Sequence, residues 1–250
     1  MVAVVARFNV TPVKSCAVEH PETIELTPAG ARDDRRFVLL DAGGRLYNGK
    51  RDGRLARIRA SWDARADVLE LTLPDGTVVV DGVDRGPPVL LEVYGRRMTA
   101  HDIVGPWADA LSDFAGQSLR LVERGEGDVA TDVAPATMIS RASLAEIDGD
   151  GRRFRMLIEV DGIEALGEEQ WGGQRLGVGD AELRVGVPTP RCAVPTHAPD
   201  TGVRNRDTLR EIDDLRGRIA GEICFGVYAE VVRPGVARIG DPVVELRQAG

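Results

Sequence analysis

Glycine and proline interrupt this chain too often to leave room for long helices, and that restricts the folds open to it. Of 250 residues, 29 are glycine and 14 are proline. The apolar runs between these breaks are short and rich in valine, and few hold a 3.6-residue period. The pattern predicts a β-rich α+β protein with short helices.

Strand runs are read at 2–13, 22–26, 36–41, 55–62 and 67–73, and later at 118–123, 154–160, 181–187, 224–232, 237–239 and 243–246. Asp75-Gly76 between two Val/Leu-rich runs predicts that 68–73 pairs with 77–80. A second hairpin joins 89–93 to 97–100 through Tyr94-Gly95-Arg96. The run 224–232 is nearly all apolar and reads as a central, buried strand. Helices are predicted at 106–116, which opens on Pro106 and stops at Gly116, at 140–147 with Ser140 as its cap, and at 208–219; a single turn is expected at 168–171. The polar stretch Gly125-Glu126-Gly127-Asp128 marks a boundary between a β-barrel-like portion, 1–120, and a second domain, 121–250.

A net charge of −8 argues against a nucleic-acid or anionic-membrane surface as the main partner. Three cysteines are too few, and odd in number, for a disulfide framework, so a reducing cytoplasm is expected. The apolar start at 2–6 meets Arg7 too early for a signal or membrane-spanning segment.

Cys192 is the leading chemical candidate. It lies in Pro188-Thr189-Pro190-Arg191-Cys192-Ala193-Val194-Pro195-Thr196, on a loop that proline stiffens. Arg191 beside it would favour the thiolate, the form that attacks carbon or sulfur and ligates metal. The plain alternative is a small apolar residue in a tight turn. His197, on the same loop, is a candidate proton donor or acceptor. A nucleophile set of Cys192, His101 and Asp102 is chemically permissible. His20, His101 and His197 do not have metal-ligand spacing. Lys14-Ser15, at a break after Pro12, suits an anion. Arg32-Asp33-Asp34-Arg35-Arg36 reads as surface self-pairing, with one arginine able to turn toward an anion. Arg155 is placed on a strand face with Leu157 and Glu159. Cys16 and Cys224 read as structural, and Glu164, Glu168 and Glu169 as solvated surface.

Three blocks of the chain resemble the MOSC-domain proteins, named after the C-terminal domain of molybdenum cofactor sulfurases, in the subgroup with an N-terminal β-barrel-like portion. They are Phe8–Cys16 with Asp34-Arg35-Arg36-Phe37; Pro135–Leu144 with Arg153-Phe154-Arg155; and Arg191-Cys192 through Pro199-Asp200-Thr201-Gly202 to Phe225–Tyr228 and Pro234–Val243. Within that family the chain is similar to the amidoxime-reducing components. The resemblance implies a MOSC β-barrel domain, a molybdenum–pterin cofactor and Cys192 as thiolate ligand of the metal. Lys14, Ser15 and Arg35 from the first block, and Ser140, Arg141 and Arg155 from the second, would hold the cofactor, with Arg191 beside the ligand. It further implies reduction of small N-hydroxylated or N-oxide substrates with electrons from a separate reductase. The alternatives are metal-free sulfur transfer or carbon–sulfur cleavage through Cys192 as persulfide carrier or nucleophile, and a pterin-cofactor carrier without turnover. Two departures stand out: Met156-Leu157, where amidoxime reducers continue Pro-Asn, and Pro195-Thr196-His197-Ala198, where they carry Thr-Thr-Val-Asp.

Overall fold

The short apolar runs become strands throughout the computed structural model, which describes residues 2–93, 95–125, 127–128, 133–147 and 149–246. Tyr94 of the second hairpin and Glu126 of the boundary stretch lie outside them. The fold is β-rich α+β, with curled sheets and short helices, as the glycine and proline pattern predicts.

Seven strands form the largest sheet, in the order Val4–Phe8, Ile158–Asp161, Ala136–Ser140, Cys224–Arg233, Ala181–Pro190, Arg175–Val178 and Val243–Leu246. Cys224–Arg233 is its central strand, as its apolar run predicts. Five strands make a second sheet: Leu46–Tyr47, Phe37–Asp41, Leu119–Arg124, Arg96–Val104 and Asp84–Val93. Two three-stranded sheets complete the fold. One contains the Asp75-Gly76 hairpin, with Thr72 opposite Val78.

The two halves exchange strands. Val4–Phe8 pairs antiparallel with Ile158–Asp161, and Thr23–Thr27 pairs with Gly235–Arg238. The segment 9–36, which carries Thr23–Thr27, is thereby pinned against the second half, and the site forms there.

Two main cores follow. One, around Phe37, Leu55, Leu69 and Leu71, is closed by the first helix, α1 (Trp107–Ala115). Trp107 is fully buried and donates its Nε1–H to the Leu69 carbonyl at 3.0 Å, so the helix has both apolar and polar anchors. The other fills the seven-stranded sheet around Phe8, Leu26, Met138 and Val227. Burying each of these larger side chains contributes about 2 kcal/mol. A third cluster joins Ile139, Leu144, Phe154, Met156, Ile212 and Phe225 beneath α2 (Arg141–Ile147) and α3 (Thr208–Arg216).

Six expectations change. The 2–13 strand stops at Phe8, and the 55–62 strand begins only at Arg59, because Asp52 caps a 3-10 turn at Gly53–Arg57. The 154–160 strand begins only at Ile158, because Asp150 caps a 3-10 turn at Gly151–Arg153 and Arg155 takes φ +56°. Arg155 therefore does not alternate with Leu157 and Glu159. The 208–219 helix stops at Arg216, where Gly217 at φ +72° donates its N–H to the Asp213 carbonyl. Glu168 is fully buried rather than solvated: Ser143 Oγ lies 3.0 Å from both of its carboxylate oxygens. Asp34 and Arg35 are buried and paired with each other, not surface charges, while Arg32 pairs outside the run with Glu25.

Candidate functional site

The strand Ala181–Pro190 carries the chain to the site. The Arg191 N–H still reaches the Ile223 carbonyl at 2.7 Å, and beyond it the ladder ends at Cys192. A 3-10 turn, Val194–Thr196, follows, with Pro195 in its first positions and Thr196 Oγ1 donating to the Ala193 carbonyl at 2.7 Å. Cys192 is half-buried and lines a cavity of about 700 Å³ between the two halves of the chain.

Cys16 and Cys224 are of another kind. Burial pushes the Cys16 thiol up to about 12, and burial raises Cys224 as well, so neither forms a thiolate near neutral pH. Cys192 alone pairs a thiol with access to the cavity.

The cavity wall is strongly cationic. The first half contributes Lys14, Arg35, Lys50, Arg57 and Arg59; the second contributes Arg152, Arg153, Arg155 and Arg191. Asp200 is the only carboxylate residue lining it among the described residues. Asp34 pairs with Arg35, and Asp150 and Asp200 with Arg152, yet the excess of basic side chains on this wall, in a chain of net charge −8, marks it as a place for an anion.

Backbone conformation supports the same assignment. Ser15, Arg35 and Arg155 hold φ of +77°, +51° and +56°, conformations that cost non-glycine residues free energy and that cluster at functional sites. Contacts across the cavity hold them. Ser15 Oγ accepts the Gly49 N–H at 2.9 Å, Arg35 Nη2 donates to the Arg155 carbonyl at 3.2 Å, and Arg155 Nη2 donates to the Cys16 carbonyl at 2.8 Å. Lys14, nearly buried, is fixed by its main chain, whose N–H meets the Phe37 carbonyl at 2.8 Å.

Arg191 is seated on the second block. Its guanidinium donates to the Phe154 carbonyl at 2.7 Å and meets Met156 Sδ at 3.1 Å, over the Phe154 ring. Met156, one of the two departures, thus helps to seat this arginine.

Arg153 is the residue that sequence reasoning missed. It is buried, and its Nη1 donates to the carbonyls of Pro195 (3.1 Å) and His197 (2.8 Å) and to Asn205 Oδ1 (3.1 Å). One guanidinium therefore holds the loop that presents Cys192. Its signal was the Arg152-Arg153 doublet just after an Asp-Gly turn. Arg152 bridges Asp150 and Asp200, the latter at 2.7 and 3.1 Å. Gly53 and Gly202 touch backbone to backbone: a Cβ on Gly53 would stand 2.3 Å from the Gly202 oxygen and 3.0 Å from His197 Cγ.

Two polar atoms at the cavity lack partners. Thr189 is 4% exposed and its Oγ1 has no hydrogen bond among the described residues. His197 Nδ1 is likewise buried without one. Burial, then Arg204 and Arg153, hold the His197 pKa below the ordinary histidine value, so the imidazole is neutral at pH 7.

Ser140 and Arg141 are not brought to the cavity. Ser140 Oγ accepts the Ser143 N–H at 2.9 Å, capping α2 inside the core, while Arg141 is exposed on that helix. The set of Cys192 with His101 and Asp102 does not assemble: His101 Nδ1 lies 3.3 Å from the Gly86 carbonyl in the five-stranded sheet, and Asp102 pairs with Arg120. His20, which carried no role in the sequence reading, does line the cavity.

Residues 2–103 match the family described as MOSC N-terminal beta barrel domain, and residues 129–244 match MOSC domain. The chain belongs to the MOSC family. Over 99% of its length it is 27% identical to mitochondrial amidoxime-reducing component 1 of Homo sapiens, covering 84% of that protein. Mitochondrial amidoxime reducing component 2 of Homo sapiens is 24% identical over 98% of this chain and 84% of its own. Molybdenum cofactor sulfurase of Drosophila ananassae is 27% identical over 89% of this chain but only 31% of its own length. No helix among the described residues of this MOSC protein is long and apolar enough to cross a membrane.

Proposed function

We propose that this MOSC protein binds a molybdenum–pterin cofactor in the cavity, with Cys192 as thiolate ligand, and reduces small N-hydroxylated or N-oxide substrates. The observation that supports the reading best is an accessible thiol on a rigid loop inside a cavity rimmed by nine basic residues. The lining fits such a group: soft thiolate suits the metal, basic groups suit a phosphate tail, and Thr189 Oγ1 awaits a polar partner. The portions 1–120 and 121–250 supply opposite walls. Lys14, Ser15 and Arg35 would hold the cofactor from the first, and Arg155 and Arg191 from the second.

When bound, the cofactor supplies a two-electron redox centre. The chain's own residues do the rest. Arg153 fixes the loop that carries Cys192, and the neutral His197 imidazole can relay a proton, accepting one from water at one ring nitrogen as it releases one toward the substrate oxygen from the other. Electrons come from a separate reductase, and the reducing cytoplasm suits the free thiols. The match to amidoxime-reducing components along almost the whole chain supports this reaction class.

The test is elemental analysis of protein purified from a host that makes the cofactor. Near-stoichiometric molybdenum, lost together with amidoxime reduction in Cys192→Ser, is expected. Metal-free protein from such a host overturns the reading. A mass gain of about 32 Da on Cys192, one sulfur atom removable by reductant, would favour sulfur transfer instead.

A further inference from the structure

The basic groups around the cavity differ in burial. Lys14, Arg35 and Arg153 are less than a tenth exposed and sit deep in the wall. Arg57 and Arg59 line the same cavity but are exposed. The fold puts them together. Gly53–Arg57 is a 3-10 turn leading directly into the strand Arg59–Asp63, where Arg59 stands opposite Thr72. Thr72 opens the hairpin tip, whose Leu73, Pro74 and Gly76 also line the cavity. Part of the wall is thus the end of a three-stranded sheet, with two exposed arginines on it.

Neither guanidinium makes a hydrogen bond or an ion pair with the described residues. Glu19 senses Arg59 electrostatically but forms no ion pair with it. Elsewhere the chain usually neutralises its arginines, as at Arg54 with Asp52 or Arg85 with Asp67 and Glu123. Both side chains are exposed on the cavity lining, and apolar Leu73 and Pro74 belong to the same lining. A ligand that brings negative charge and an apolar body complements both features.

We propose that Arg57 and Arg59 form a substrate subsite that selects small molecules bearing a carboxylate or phosphate on an apolar or aromatic body, away from the group reduced at Cys192. This rests on the reduction reading for what happens at Cys192, but the subsite itself is a matter of binding. It draws on residues that the cofactor assignment leaves aside.

The test compares benzamidoxime with 4-carboxybenzamidoxime, alike but for one carboxylate. Both are titrated by calorimetry into the molybdenum-loaded protein and into Arg57→Gln/Arg59→Gln, and both are assayed for reduction. Two solvent-facing ion pairs together give the carboxylated probe roughly fivefold tighter binding to the parent. That ratio falls to near one in the double variant, and it shrinks in the parent as salt is raised. Equal affinities in the parent, a ratio that survives the double variant, or binding of neither probe overturns the proposal. Unchanged probe ratios with slower electron delivery would overturn it in favour of a docking face for an acidic protein. A preference dependent on Arg57 and Arg59, without turnover of either probe, keeps the subsite and refutes the reduction reading.

Discussion

Replacing Arg153 with methionine tests how the Cys192 loop is held. Methionine keeps much of the side-chain volume and removes the donors. Three charge-assisted bonds disappear, to the Pro195 and His197 carbonyls and to Asn205 Oδ1. At the low end such bonds contribute about 1.5 kcal/mol each, so the gross loss is about 4–5 kcal/mol. Two effects reduce it. Pro195 keeps one partner, since Thr208 Oγ1 donates to its carbonyl at 2.9 Å, and the variant no longer buries a guanidinium. A net loss of about 3 kcal/mol remains. For a chain of this length 1 kcal/mol moves Tm by about 2–4 °C, so a fall of roughly 6–12 °C is expected.

Arg152→Met is the built-in control. Its neighbour's bonds are also charge-assisted, but its side chain is 35% exposed and Asp200 is 72% exposed, so solvent screening limits the loss to at most about 1 kcal/mol. Urea titration gives both values. Alkylation of Cys192 by iodoacetamide reports the loop itself and should quicken in Arg153→Met, while Cys16 and Cys224 stay protected in both. If the two variants lose equal and small stability, with alkylation unchanged, the loop is held by its prolines and the assignment to Arg153 is wrong.

Three further changes are expected. Gly53→Ala drives a methyl group to 2.3 Å from the Gly202 oxygen; backbone must move, costing about 1–3 kcal/mol, and both urea stability and Cys192 alkylation should register it. His197 has its folded pKa below its unfolded one, so the unfolded state binds more protons as pH falls below about 6.5. The stability it contributes is present above that pH and lost below it, and the parent should weaken there more than His197→Gln in parallel melts. Glu168 runs the other way: burial raises its pKa, so the folded chain loses stability as pH rises from about 4.5 through the folded value. Glu168→Gln keeps an acceptor for Ser143 and removes that loss, so it should match or exceed the parent at pH 8 in thermal melts.

Much of this was legible in the sequence, and the parts that were not share a cause. The Asp75-Gly76 hairpin, α1 between Pro106 and Gly116, the buried strand at Cys224 and the proline-braced Cys192 loop are all local signals. Arg155 escaped because nothing in residue type marks a left-handed arginine; the strand alternation drawn through it continues smoothly on paper. Arg153 escaped because its acceptors lie 42 to 52 residues away. Glu168 stands among Glu164 and Glu169 and reads as surface, yet its partner Ser143 is 25 residues distant. The family resemblance located Lys14, Ser15, Arg35 and Arg155 at the cavity but also pointed to Ser140 and Arg141, which the fold uses to build α2.

How the cavity keeps its charge explains why these long-range contacts matter. A carboxylate beside each arginine would steady it but cancel its field. Carbonyl oxygens steady a guanidinium while leaving a full positive charge in the cavity. Arg153 on Pro195 and His197, Arg155 on Cys16 and Arg191 on Phe154 all donate to the main chain. Two of those carbonyls adjoin backbone that is itself unusual: Cys16 follows Ser15, and Phe154 precedes Arg155, both at positive φ. At these two places a strained turn sets the acceptor, and the acceptor holds an arginine of the lining. Arg153 is held without such a turn, through the Pro195 and His197 carbonyls, so its charge stays in the cavity only while the Cys192 loop keeps its shape.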